Sequence, residues 1–124
     1  MPSPIDLPTD AAVRKSIPIA TGVLDYFPLA LAEVAVVSRV GNDQHNPGQP
    51  LHWDKSKSTD HADSLVRHLL ERGGFDSDGV RHSAKIAWRA LALLETELER
   101  VALDEATSAA ANQAYESLAY LEGP

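Results

Sequence analysis

Ala62, Leu65, Val66, Leu69 and Leu70 recur at the i, i+3, i+4, i+7, i+8 spacing, and Gly73-Gly74 follows them directly. A helix gathers such positions into one stripe, whereas a strand would scatter them over both of its faces. Ser58 or Thr59 can accept from the free amides of a first turn, and a glycine can take the left-handed conformation that ends a helix. The spacing therefore predicts a helix from Ser58 or Thr59 to about Arg72. No stretch alternates apolar and polar residues with the period of a strand. The expected fold class is all-α, a small helical bundle of about four helices with a long ordered loop.

The other helices are marked by the same punctuation. One is predicted from Val23 to Val40, with Pro28 tolerated only in its first turn; if Pro28 begins the helix, GVLDYF becomes a lead-in. Gly41-Asn42 reads as its stop, and residues 42–57, with two prolines, a glycine and two asparagines, read as ordered loop. After the turn FDSDG, a helix from about Val80 to Val101 places Val80, Ala84, Ala87, Leu91, Leu94 and Leu98 on one face. A last, Ala-rich helix is expected from about Asp104 to Leu121, with Tyr115, Leu118 and Leu121 as its larger apolar residues. Residues 1–21 hold four prolines and no helical periodicity, so they read as an extended arm before a single helical domain of residues 22–124.

Several function classes fall away on composition. A chain of 124 residues holds one modest core. It has no cysteine, which excludes disulfides, thiolate metal sites and thiol nucleophiles. The opening MPSPIDLPTD is not a signal peptide, and the longest apolar stretch, LALAEVAVV, is broken by Glu33 and too short for a bilayer, so no membrane partner is expected. A net charge of −7 argues against long nucleic acid as a partner. That charge is unevenly placed. Eight of the eleven Lys/Arg and all five His lie between Arg39 and Arg89, against seven acids, while residues 90–124 hold seven acids and one Arg. A cationic, His-rich middle in an acidic chain points to a small anionic ligand.

Two stretches combine cations with an aromatic: HWDKSK in the loop and RHSAKIAWR on the helix that follows FDSDG. Phosphate asks for Arg or Lys donors, and a base asks for an aromatic face, which Trp53, Trp88 or Tyr26 could supply. His82, Lys85 and Arg89 share one side of their helix, with Arg81 and Trp88 beside Lys85. If that side is covered, its cations need counter-charges. Those come from Asp60, Asp63 or Glu33 of neighbouring helices, or from the phosphates of a ligand. On the preceding helix, Asp60, Ser64, Arg67 and Glu71 lie opposite the apolar stripe, the ordinary place for a solvated face. His61 and His68, seven apart, sit at one edge of the stripe and can point together into a groove; Asp63 flanks the other edge. This spacing does not define a metal site, and there is no HExxH, GxSxG or Walker-type glycine loop.

The segments GVLxYFP, GNxxHNPGxPLHW, KSTDHxDxxxRHL and DGxRHSAKxAWRALALL carry a resemblance. From about Arg14 to Glu99 the chain closely resembles the phage and prophage dATP/dGTP diphosphohydrolase N-terminal domain family. The resemblance implies phage origin, a cytoplasmic location in an infected or lysogenic host, and a link to purine deoxynucleotides. The family's named reaction splits a nucleoside triphosphate into monophosphate and pyrophosphate. Larger members continue into a MazG-like helical domain whose EExxE helix holds magnesium. No EExxE occurs here, and Glu95, Glu97 and Glu99 alternate around a helix, so a stand-alone short form is expected.

Three readings follow. The leading one is a binder of a purine nucleotide, in the manner of a sponge for a nucleotide signal of host immunity, with no cofactor. Its ligand-binding residues are expected among Arg14, Lys15, His45, Asn46, His52, Trp53, Lys55, Lys57, Arg67, His68, Arg81, His82, Lys85, Trp88 and Arg89. The alternative is a Mg2+-dependent diphosphohydrolase using Asp60, His61, Asp63 and His82. The third is an oligomeric structural module; a homo-oligomer is expected under all three.

Overall fold

Pro28 decides where the first long helix begins. Its ring fixes φ and its missing N–H costs nothing at the first helical position, so α2 runs Pro28–His45 with Phe27 as its N-cap. The residues before it, expected either as helix or as lead-in, form a π-helical turn, Ala20–Leu24. The computed structural model describes residues 7–121, with side chains as far as residue 114. Residues 1–6 of the expected arm and the side chains of Tyr115, Leu118 and Leu121 lie outside the described residues. Within the segment expected to be extended, a five-residue helix, α1 (Ala11–Lys15), is capped by Asp10, which accepts from the Val13 amide at 3.0 Å.

The expected stop at Gly41-Asn42 is overrun by one turn. Asn42 stays helical because its side chain is an anchor: it is buried, its Nδ2 donates to the Gln49 carbonyl at 3.1 Å, and its Oδ1 accepts from the His52 amide at 3.1 Å. The loop 46–60 is thereby folded back over the end of α2. The left-handed turn it needs is made by Gly48, at φ 75°.

α3 spans His61–Leu70, preceded by Asp60, whose side chain makes no cap bond. A tight connection leads to α4. The Asp76 amide donates to the Val80 carbonyl at 2.8 Å, Gly79 takes φ 82°, and the His82 amide donates to the Gly74 carbonyl at 3.1 Å. α3 and α4 thus form a helical hairpin, and α4 also packs on α2. The two helices expected after residue 80 are one: α4 runs His82–Leu121 without a break. Leu103 and its neighbours carry neither glycine nor proline, and Arg100 reaches Asp104 one turn on at 3.5 Å, so nothing stops the helix there.

The largest correction concerns which side of α3 is covered. Ser64 is only 2 % exposed and His61 5 %, with Leu65 and His68 half-buried, whereas Val66 and Leu69 are exposed and Leu70 is 78 % exposed. The buried stripe is His61, Ser64, Leu65 and His68, the same helical spacing shifted by one residue; the apolar stripe faces outward. Similarly, Val80 and Ala84 of the apolar face expected after FDSDG are buried, but Leu91, Leu94 and Leu98 are exposed. A 40-residue helix is about 60 Å long, and a ten-residue α3 covers only its first turns. The accessible surface is 9682 Å2. A folded monomer of 13.4 kDa is expected to show about 6,500 Å2. Among the described residues no single helix is long and apolar enough to cross a membrane.

The Asn42 anchor yields a direct test. Asn42→Ala leaves the Gln49 carbonyl and His52 amide without their partner and is expected to lower unfolding free energy by about 1–3 kcal/mol. Urea denaturation reads the loss, and faster proteolysis within residues 46–57 reads the loosened loop.

Candidate functional site

Where the end of α2, the 46–60 loop and the first turns of α4 meet, they enclose a cleft of about 850 Å3. The loop reaches it because Asn42 holds residues 49 and 52 in place, which sets Trp53 against α4. Trp53 and Trp88 meet edge to face with ring centroids 5.3 Å apart, and the Trp88 Nε1 donates to Ser38 Oγ at 2.8 Å. His61 closes the cluster, 6.3 Å from Trp53 and 6.2 Å from Trp88.

Arg89 ties this aromatic cluster to the start of α3. Its Nη1 donates to Ser58 Oγ at 2.7 Å and to His61 Nδ1 at 3.0 Å, and lies 3.9 Å from Asp60. An imidazole nitrogen that accepts from a guanidinium carries no proton, so His61 is neutral with its proton on Nε2. Burial, and then the Arg89 charge, push its pKa below the usual histidine value. Nε2 is itself buried and has no hydrogen-bond partner. Among the described residues the hydrogen bonds and ion pair of Arg89 use one nitrogen, and its guanidinium lies 5.6 Å from the Trp88 ring, which leaves the Nε and Nη2 donors for a ligand.

One turn earlier on α4, Lys85 has a different environment. It is held at 2.7 Å by Asp76 and at 2.6 Å by Asp78, both from the FDSDG turn. Burial alone would lower its pKa, but the two carboxylates outweigh that and raise it. In return, the Lys85 ammonium, with the Ser77 amide, brings Asp76 down to about 2. Next to this pair, His68 Nδ1 and His82 Nδ1 lie 2.9 Å apart, and His82 Nε2 is 3.3 Å from Glu71 Oε2. His82 is buried, and His68 opens on the cleft. The ligand atoms of His68, Asp76 and His82 all fall within 4.8 Å of one another.

The segments that build both clusters lie inside one family match. A model of the dATP/dGTP diphosphohydrolase, N-terminal, family covers residues 11–106. The chain belongs to that family. No curated protein and no solved structure matches it significantly. In this diphosphohydrolase N-terminal chain, the GNxxHNPGxPLHW segment is the end of α2 with its folded-back loop. KSTDHxDxxxRHL is the entry to α3, and DGxRHSAKxAWRALALL opens α4.

The expected binding residues divide accordingly. His45, Asn46, His52, Trp53, Lys57, His68, Lys85, Trp88 and Arg89 line the cleft, and His82 lies behind His68. Lys55 stands over Trp53 at 4.9 Å and pairs with Glu99. Arg67 is turned outward and paired with Asp60 at 3.0 Å, and Arg81 lies on the Phe75 ring at 4.6 Å. Arg14 and Lys15 belong to the exposed α1, where Arg14 donates to the Pro8 carbonyl. Tyr26 is exposed and stacks edge to face on Phe27. The four residues expected for hydrolysis do not converge: His61 sits among the tryptophans, His82 against His68, and Asp60 and Asp63 are exposed.

The counter-charges of Lys85 are Asp76 and Asp78, not Asp60, Asp63 or Glu33. The sequence did carry a signal for them, two aspartates two apart in a turn directly before a cationic helix, but FDSDG also reads as an ordinary turn. Among the described residues the one group of convergent ligand atoms has two imidazoles and a carboxylate, and magnesium takes oxygen ligands.

His61 gives the pH dependence a sign. Its folded pKa lies below 6.5, so the unfolded chain binds the extra proton first and stability is lost as pH falls through that range. Thermal unfolding followed from about pH 7 to about pH 5 should show a fall in Tm that is smaller in His61→Gln, which keeps an acceptor for Arg89 but cannot titrate.

Proposed function

We propose that the cleft binds a purine nucleotide and holds it without turning it over. The observation that carries this reading is Arg89: a guanidinium at the cleft wall with Nε and Nη2 uncommitted, beside two tryptophans. A planar base suits the indole wall, and a phosphate suits the guanidinium fork. About 850 Å3 is within the range of small-molecule sites. Lys57, His45 and His52 stand exposed at the mouth, where they can add to the attraction for a polyphosphate. Retention rather than hydrolysis is favoured because the nearby carboxylates are engaged by protein donors: Asp76 and Asp78 by Lys85, Asp60 by Arg67, and Asp54 by Ser56.

The test is incubation of the protein with dATP, dGTP or a cyclic dinucleotide, then chromatography of what denaturation releases. Intact nucleotide, depleted from solution until the protein is denatured, is the expected result. Monophosphate and pyrophosphate would replace this reading with the family's named reaction. Arg89→Lys keeps the charge but loses the fork, and is expected to weaken binding about ten- to a hundredfold, a charge-assisted hydrogen bond being worth about 1.5–3 kcal/mol.

The exposed apolar residues support the oligomer as well. The accessible surface of 9682 Å2 exceeds the monomer expectation by about 3,200 Å2, more than the roughly 800 Å2 that each partner buries in a standard interface. Leu91, Leu94, Leu98 and Val101 extend along α4 beyond the reach of α3 and fit a second copy of the chain. Light scattering on the eluted protein is expected to give a multiple of the chain mass, and Leu94→Glu to shift it toward the monomer. A wild-type monomer at micromolar concentration would sink the idea.

A further inference from the structure

We propose that His68, Asp76 and His82 form a binding site for a first-row divalent transition metal such as zinc, cobalt or manganese. The inference stands on this cluster alone and does not need the nucleotide reading. Three elements converge to make it: His68 comes from α3, Asp76 from the turn after it, and His82 from the first turn of α4. The two Nδ1 atoms at 2.9 Å are already near the separation that adjacent nitrogens have around a zinc ion, whose Zn–N bonds of about 2.0–2.1 Å put tetrahedral neighbours about 3.4 Å apart.

The surroundings are those of a ligand set. Glu71 Oε2 lies 3.3 Å from His82 Nε2, so a proton on Nε2 leaves the Nδ1 lone pair directed at the cluster. A metal-ligating histidine typically donates its other N–H to a carboxylate in this way. Asp76 is fixed from behind: Oδ1 accepts from the Ser77 amide at 2.7 Å and its hydroxyl at 3.5 Å, and Oδ2 accepts from Lys85 at 2.7 Å and keeps a further lone pair. The charges also fit. Glu71, Asp76 and Asp78 bring three negative charges and Lys85 one positive, which leaves two negative charges for a dication to neutralise. Two imidazoles and one carboxylate select a borderline transition metal over magnesium or calcium. His68 lines the same cleft as Arg89.

The experiment uses the untagged full chain, stripped with EDTA and titrated with Co2+ while the visible d–d absorption is recorded. Thermal unfolding with and without Zn2+ runs in parallel, both without nucleotide. One Co2+ per chain, a higher Tm with Zn2+, and no displacement by excess Mg2+ are expected. His68→Gln and Asp76→Asn, compared at wild-type helicity by circular dichroism, should each weaken binding at least about tenfold, the least that loss of an outer-shell partner already costs. Glu71→Gln, an exposed change that does not threaten folding, should weaken it about ten- to a hundredfold. His45→Gln with His52→Gln should leave it unchanged. Absence of saturable binding, wild-type affinity in the three cluster variants, or loss of the signal in the His45/His52 pair would each overturn the site.

Discussion

The polar contact between α3 and α4 is the constraint on which the rest of the structure depends. Helices usually meet through apolar stripes, but here the covered side of α3 is His61, Ser64, Leu65 and His68. Burying imidazoles without partners would cost more than the contact returns, so each must be met from α4 or the adjoining turn. Arg89 meets His61 and His82 meets His68, while Lys85, which comes with them, is neutralised by Asp76 and Asp78. Val80 and Ala84 are small enough to let the helices close around these groups. The tight turn at residues 76–80 follows from the same requirement, since it delivers the carboxylates that Lys85 needs.

Turning the polar stripe inward turns the apolar stripe outward. Val66, Leu69 and Leu70 on α3 and Leu91, Leu94 and Leu98 on α4 are exposed, while among the described residues the buried apolar side chains are Val80, Ala84 and Ala92. A core of that size cannot balance the entropy of ordering some hundred residues. The proposed association of copies would cover the leucines and leave the interior of each chain free to be polar.

This inversion also explains how much could be read from the sequence. The helical class was legible because periodicity and glycine punctuation are local properties. The start of α2 at Pro28 was one of two readings, the other beginning at Val23, and the ring of Pro28 decides between them. Periodicity says that α3 has two faces, but it does not say which face the neighbour covers, and the usual rule fails where polar groups from α4 and the adjoining turn meet the polar face. The break expected near Leu103 rested on a change of composition, and only glycine, proline or a cap would have stopped the helix. Of the residues that line the cleft, Trp53, Lys57, Lys85, Trp88 and Arg89 were legible as members of two cation–aromatic stretches, and His68 as an edge of the α3 stripe. Asp76, Asn42 and Ser38 were not, because their roles lie in contacts with residues far along the chain or across a turn.

Lys85 and Arg89 show why residue type alone could not assign the chemistry. One turn apart on α4, about 6 Å along the helix, they look interchangeable in sequence as phosphate donors. Their settings differ in the number of free donors and in the sign of the surrounding charge. Lys85 is a single ammonium with two of its three donors spent on carboxylates, so an added anion would meet their negative charge. Arg89 spends one nitrogen on Ser58 and His61 and keeps the rest of its fork, and its carboxylate neighbour Asp60 stands farther off at 3.9 Å. The negative surroundings of Lys85 therefore favour a cation beside His68 and His82, and the uncommitted fork of Arg89 favours an anion beside Trp53 and Trp88. A cation and an anion placed one helical turn apart on the same cleft wall attract each other. Under the two proposals, a cation at His68 and an anion at Arg89 would each raise the affinity for the other.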